Sequence, residues 1–215
     1  MNAASNKVPI SFSVVLLLVV AGLGTHKLVT TAGAAVWTFG VGMAIYLAWL
    51  LAESWAVSVR EVLLPRAQSD KGSCEMYGIA QGTTVVAALV LSGPTFLPEM
   101  GFVGLVAMVA GFAVRWAAIV TLGRYYSRRV RLLPDHTVIT GGPYRWVRHP
   151  AYLGTLVGHL GFALVFGSWV AALVWAAFFV PMVVRRILVE EPVLFALPGY
   201  ADYARSHKRL VPGVW

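Results

Sequence analysis

The sequence predicts an all-α, polytopic integral membrane protein of about six transmembrane helices, with both termini on the inner side. Three observations carry that prediction. Of the 215 residues, 59% are hydrophobic and only 12% are charged, against about 25% charged in a soluble domain. The apolar residues fall in runs long enough to cross a hydrocarbon layer of about 30 Å, which takes roughly 20 residues of helix. The 17 Lys and Arg residues cluster between those runs in alternate loops, the arrangement expected when basic loops stay on the inner side. Disorder is excluded by the hydrophobicity and a disulfide scaffold by the single cysteine, Cys74. A net charge of +8 in such a chain points to cytoplasmic loops rather than to nucleic acid.

Four spans are expected at about Ile10 to Thr30, Val36 to Val59, Tyr77 to Leu97 and Phe102 to Leu122. The first lacks a clustered basic flank, and no cleavage motif follows it, so it is a span rather than a signal peptide. A fifth apolar stretch, Ala151 to Val189, is twice the length of one span and carries Gly167-Ser168 near its centre. It is expected to form a C-terminal hairpin of two helices. With six helices and the N-terminus inside, 15 of the 17 basic residues fall on the inner side: Lys7, Arg60, Arg66, Lys71, Arg124, Arg128, Arg129, Arg131, Arg145, Arg148, Arg185, Arg186, Arg205, Lys208 and Arg209. Lys27 alone falls outside, and Arg115 lies within the fourth span. Residues 1–100 thus form a set of transmembrane helices with sparse ionisable groups, and residues 101–215 hold most of the groups capable of chemistry.

The segment Asp135 to Gly154, DHTVITGGPYRWVRHPAYLG, is too polar to span a membrane. Gly141-Gly142-Pro143 marks a turn, and Pro150 suits the first position of a helix, where its missing N–H costs nothing. His149 then stands at the helix N-cap, where free N–H groups and the helix dipole favour an anionic group. Arg145, Trp146 and Arg148 read either as interfacial anchors or as part of that site. In the second cluster, Arg186 and Glu190 are four residues apart and share a helix face. Pro192 disfavours helix at Glu191, so a break is expected there. Tyr200 and Tyr203, after the Pro198-Gly199 turn, suit a short amphipathic tail. Glu53 and Arg115, both within spans, either pair with each other or line a tunnel. His159 lies about 15 Å along the helix from His149, too far to share a metal, and no His/Cys/acid cluster has ligand spacing, so no metal is expected.

Three blocks in order, His136-Thr-Val-Ile-Thr-Gly-Gly-Pro-Tyr144, Arg148-His149-Pro150-Ala151-Tyr152-Leu153-Gly154, and Glu190-Glu191 with Gly199-Tyr200 and Tyr203, resemble the isoprenylcysteine carboxyl methyltransferase family. These integral-membrane enzymes use S-adenosylmethionine and share this C-terminal half with phospholipid N-methyltransferases. The resemblance covers roughly Arg115 to Pro212. It implies a cofactor pocket formed by His136, Thr137, Val138, Ile139, Tyr144, His149, Pro150, Ala151, Tyr152 and Glu190. It also implies that Arg186 binds or steers the acceptor's carboxylate and that Arg115 is the family's arginine on the preceding helix. Where family members carry an amide seven residues before the histidine, this chain has Arg129.

A carboxylate acceptor needs no base, so catalysis would rest on proximity, alignment and exclusion of water. An amine would need a proton removed, with Tyr144, His149 or Glu190 as the candidate bases. The expected activity is carboxyl O-methylation of a lipophilic, isoprenylcysteine-like acceptor. Phospholipid or thiol methylation, an NADPH-dependent sterol or steroid reductase and a non-enzymatic scaffold are the alternatives. The expected partners are a lipophilic or lipidated substrate and membrane lipids, with no nucleic acid. The expected location is a prokaryotic cell membrane with the site on the cytoplasmic side.

Overall fold

The computed structural model describes residues 4–33, 35–61, 71–92, 97–133 and 135–215. Arg66 lies outside the described residues, as do the side chains of Lys7 and Arg60. The α-helices among the described residues are α1 (Ala4–Thr30), α2 (Ala35–Glu61), α3 (Ser73–Val90), α4 (Pro98–Leu122), α5 (Pro150–Val165), α6 (Trp169–Val174), α7 (Val180–Leu194) and α8 (Tyr200–Ser206). No strand occurs among the described residues; one isolated bridge pairs Val147 with Lys208. Three stretches, Ala35–Ala56, Pro98–Tyr125 and Trp169–Leu194, are long and apolar enough to cross a membrane, and Val14–Thr30 and Pro150–Val165 are shorter apolar helices.

Local chemistry sets the helix boundaries. Pro98 opens α4, with Glu99 in the first turn where the helix dipole favours an acid. Ser168 caps α6 by accepting from Ala171 N at 3.1 Å, and its hydroxyl donates to Leu91 O at 2.8 Å, fixing the hairpin turn to the end of α3. Gly167 supplies the positive φ of 60° that this turn needs. Helices α6 and α7 are one continuous rod interrupted by a π-helical turn, Trp175–Phe179. Pro181, which has no N–H to give Ala177 O, accounts for that turn. The widened turn leaves Trp175 Nε1 donating to Leu156 O at 2.9 Å and Phe179 against His159 at 5.3 Å between ring centroids.

Where lipid replaces water, helices associate through close packing of small residues rather than through the hydrophobic effect. The α4–α5 seam is built this way. A methyl group on Gly111 would lie 2.3 Å from Gly158 N and 2.6 Å from Gly154 O, and one on Gly104 would lie 2.7 Å from Gly161 O. The two backbones therefore touch. Behind the seam lies an aromatic core in which Trp49 stacks on Phe112 at 4.4 Å and Tyr46 packs on Phe162 at 4.6 Å. His159 sits inside it, its Nδ1 at 2.8 Å from Thr155 O and its Nε2 at 3.4 Å from Tyr46 Oη. Leu18, Val103, Val106, Val109 and Leu173 face outward, an apolar surface that suits lipid.

Two expectations need correction. The third helix runs Ser73–Val90 rather than Tyr77 to Leu97, beginning at Gly72, whose φ of 70° turns the chain. No break follows Glu191 either: Pro192 lies inside α7, which continues to Leu194. Near a C-terminus a proline forfeits a single N–H bond, and the ionic grip on Glu191 described below holds the helix there.

Candidate active site

The site is assembled from the loop between α4 and α5, the end of α7 and the tail after α8. Beyond α4 the chain makes a 3-10 turn, Gly123–Tyr125, and the described residues that follow, past His136 to Ile139, form no helix or strand. Gly142, with φ 57°, opens a single 3-10 turn, Gly142–Arg145, which buries Tyr144. Arg148 N donates to Lys208 O at 2.8 Å and His149 N to Arg209 O at 3.0 Å, so the tail clasps the loop just before α5. His149 is the residue preceding α5 and Pro150 is its first helical residue. Tyr203 Oη donates to Tyr144 O at 2.6 Å, closing the clasp from α8.

Three ionic groups surround the space these elements enclose. Glu53 and Arg115, both buried, form a fork: Arg115 Nε donates to Glu53 Oε2 at 3.0 Å and Nη2 to Oε1. Nη1 donates to Thr155 Oγ1 at 2.9 Å and Ala151 O at 3.3 Å, and Nη2 also to Tyr126 Oη at 3.2 Å. At the end of α7, Arg186 Nη1 donates to Ser73 Oγ at 2.6 Å, Nη2 to Arg128 O and Nε to Tyr152 Oη at 3.1 Å. Tyr152 Oη in turn donates to Glu190 Oε2 at 2.7 Å. The Arg186 and Glu190 side chains are thus linked through a tyrosine hydroxyl from α5. The neighbouring acid, Glu191, turns the other way, to Arg148 Nη1 at 2.8 Å, Arg209 Nη2 at 2.7 Å and His149 Nε2 at 3.4 Å.

The first two groups, with Arg148 and His149 of the third, line a cavity of about 330 Å³. Its wall includes Arg115, His136, Thr137, Val138, Ile139, Tyr144, His149, Ala151, Tyr152, Arg186 and Glu190. Of the residues expected at the site, Pro150 alone is set back from the wall, at the first turn of α5. Arg145 and Trp146 point away: the Arg145 guanidinium covers the Trp146 ring at 4.8 Å and Trp146 is 63% exposed. Arg129 also lines the cavity, paired with Glu75 at 2.7 Å. Glu53 and Arg115 both pair with each other and line the space, so the two readings of them hold together.

The cavity presents polar atoms that this chain leaves unused. His136 Nδ1 and Tyr200 Oη are buried without a hydrogen-bond partner among the described residues, which in a native interior points to an absent ligand or water. His136 stacks on Tyr125 at 4.4 Å, and burial holds its imidazole below the ordinary histidine range against the pull of Asp135 and Glu190. It is neutral at pH 7. Burial pushes the Tyr203 phenol up to about 12 and Tyr144 well above the usual range, so both remain hydrogen-bond donors. Among the described residues no group of three His, Cys, Asp or Glu side chains could hold a metal ion.

Some site residues carry no recognisable motif. Ser73, Tyr77 and Tyr126 lie outside the motif blocks, and the pairing of Glu191 with Arg148 and Arg209 depends on contacts between distant parts of the chain. The tyrosines of α8 stood out by their spacing, but their place against the loop did not.

A helical membrane protein whose α4–α5 loop, α5 and α7 enclose one polar cavity is the class these features define. The solved structure of the eukaryotic intramembrane Ras methyltransferase ICMT overlays on 92% of this chain and 74% of its own, with a TM-score of 0.64 and 22% sequence identity. Residues 103–196 match the model of the isoprenylcysteine carboxyl methyltransferase (ICMT) family, which bears out the resemblance read from the motifs. Protein-S-isoprenylcysteine O-methyltransferase A of Arabidopsis thaliana is 33% identical over 115 residues, 52% of this chain and 58% of that protein. The protein-S-isoprenylcysteine O-methyltransferase of Schizosaccharomyces pombe is 30% identical over 106 residues, 48% of this chain and 44% of that protein. The chain thus matches about half the length of these relatives, and the family-model match lies in its C-terminal half.

Proposed function

We propose that this protein is an S-adenosylmethionine-dependent methyltransferase that methylates the carboxylate of a lipophilic, isoprenylcysteine-like acceptor. The observation that carries this reading is the single cavity lined by all three motif blocks, from the loop, the start of α5 and the end of α7. S-adenosylmethionine offers a carboxylate, an ammonium, a ribose and an adenine, and the cavity matches this mixture. His136 Nδ1 and Tyr200 Oη are free to hydrogen-bond, Val138, Leu194 and Leu197 give an apolar wall, and Glu190 supplies an acid. His136 to Ile139, Tyr144, His149, Ala151, Tyr152 and Glu190 would hold it. When bound, it supplies an electrophilic methyl group on a sulfonium.

The remaining work belongs to this chain. Arg186, fixed by Ser73, Tyr152 and Arg128 O, steers the acceptor's carboxylate, and Tyr152 couples that arginine to Glu190. A carboxylate needs no base, so alignment and exclusion of water carry the rate. An apolar groove of about 570 Å³, walled by Val15, Val19, Thr83, Val86 and Val174, shares Leu16 and Ile79 with the main cavity. It suits the acceptor's lipid tail and gives residues 1–100 their role. The six-pass, N-in/C-in arrangement puts the cavity on the cytoplasmic side.

Calorimetric titration of the detergent-purified protein with S-adenosylhomocysteine and, separately, NADPH tests the reading. Binding of the first is expected; NADPH alone would indicate a reductase, and neither would indicate a scaffold. Glu190→Ala should weaken S-adenosylhomocysteine binding about tenfold, the loss of one charged hydrogen-bonding group, while Arg186→Ala chiefly lowers turnover. Wild-type methyl transfer by both variants would refute these assignments.

A further inference from the structure

Every N–H of Arg115 is used inside the protein. A guanidinium has five, and here they serve Glu53 twice, Thr155, Ala151 O and Tyr126. The fork with Glu53 is the geometry in which an arginine binds any carboxylate, including that of a ligand. It is not sealed within the helix bundle, because Glu53 and Arg115 both line the main cavity. A second cation, Arg128, stands 3.7 Å from the same Glu53 oxygen. Glu53 comes from α2, outside the region matched by the family model.

We propose that Glu53 is an internal carboxylate that holds Arg115 until the acceptor arrives and then yields it, so that Arg115 receives the carboxylate that Arg186 steers into the shared cavity, with Arg128 beside Glu53 as it moves. This inference rests on the carboxylate-methylation reading and makes Glu53 a specificity-determining residue within it. A buried arginine without a partner is strongly unfavourable, whereas exchanging one carboxylate for another on the same fork is nearly neutral. Glu53 therefore keeps the empty site folded and, by competing for Arg115, weakens acidic acceptors. An amine acceptor would have the opposite relation to Glu53, gaining affinity from its charge.

The test is the Glu53→Gln variant, assayed with an N-acylated S-farnesylcysteine and with the corresponding carboxamide as a competitive inhibitor. The KM for the acid should fall about fivefold or more, while the inhibition constant of the carboxamide stays put. The acid should also raise the melting temperature of Glu53→Gln more than that of the wild type, because in the variant it alone neutralises Arg115. A residue that merely supported the fold would shift acid and carboxamide alike. Glu53→Asp, which withdraws the charge by one methylene, should shift the KM in the same direction and serves if Glu53→Gln does not survive purification. An unchanged or raised KM for the acid, with normal wild-type transfer, overturns this inference alone. Absence of transfer by the wild type overturns both it and the functional reading.

Discussion

Glu190 and Glu191 are adjacent in sequence and nearly opposite in purpose. Glu190 lines the cavity and accepts one hydrogen bond from Tyr152. Glu191, 3% exposed, is the anchor on which Arg148 and Arg209 converge, and through it the tail is fastened to the residues before α5. Removing one member of a buried ion pair costs about 3–5 kcal/mol, because it strands the remaining charge. A neutral hydrogen bond is worth only about 1 kcal/mol. Glu191→Gln is therefore expected to lower stability by about 3 kcal/mol, toward the low end of that range because Arg209 is partly exposed. Glu190→Gln should cost about 1 kcal/mol. Thermal unfolding in detergent compares the two; equal losses would mean that Glu191 is not the anchor.

The α4–α5 seam carries the site on its cavity end, since Arg115 on α4 reaches Ala151 and Thr155 on α5. Its glycines are not interchangeable. A methyl group on Gly154 would stand 2.4 Å from Gly111 O and 2.6 Å from Arg115 N, backbone atoms that can yield only by separating the helices. One on Gly158 would meet the Phe112 ring at 2.4 Å, and that side chain can turn aside. Gly154→Ala should thus cost the upper part of the ~1–3 kcal/mol typical of overpacking, and Gly158→Ala the lower part. Gly154→Ala should also lose methyl transfer while still purifying as a folded protein; equal behaviour of the two variants would refute backbone contact at the seam. The small-residue spacing Gly154-x-x-x-Gly158 was there to be read, but nothing local says which α4 residues meet it. The same holds more widely. Helices, hairpin turn and the capping role of Pro150 follow from apolar runs, Gly167-Ser168 and a missing N–H, all of which act over a few residues. The continuation of α7 through Pro192 and the fastening of the tail to Glu191 depend on partners 18 to 43 positions away in the chain, beyond the reach of periodicity.

Across the whole bundle, the basic residues divide by end. Lys27 donates to Ser92 and lies over Phe39, near the start of α2, and Ser168 at the hairpin turn donates to Leu91 O. That end of the bundle collects the end of α1, the start of α2, the end of α3 and the hairpin turn. The opposite end holds the cavity, with Arg128, Arg129, Arg148, Arg186 and Arg209. Moving so many guanidinium groups across a bilayer is far less favourable than moving one lysine, so the cavity end is predicted to lie on the cytoplasmic side. Cysteine labelling tests this directly. With Cys74 replaced by serine, Ala32→Cys in the exposed turn after α1 and Lys208→Cys in the exposed tail offer one thiol at each end. A membrane-impermeant maleimide should label Ala32→Cys in intact cells, and Lys208→Cys only once the membrane is opened. Labelling of Lys208→Cys in intact cells would invert the orientation and put the cavity on the outer side, out of reach of cytoplasmic S-adenosylmethionine. Labelling of both thiols from one side would mean that the helices between them cross an even number of times, which the opposite placement of Lys27 and Arg209 in the bundle does not allow.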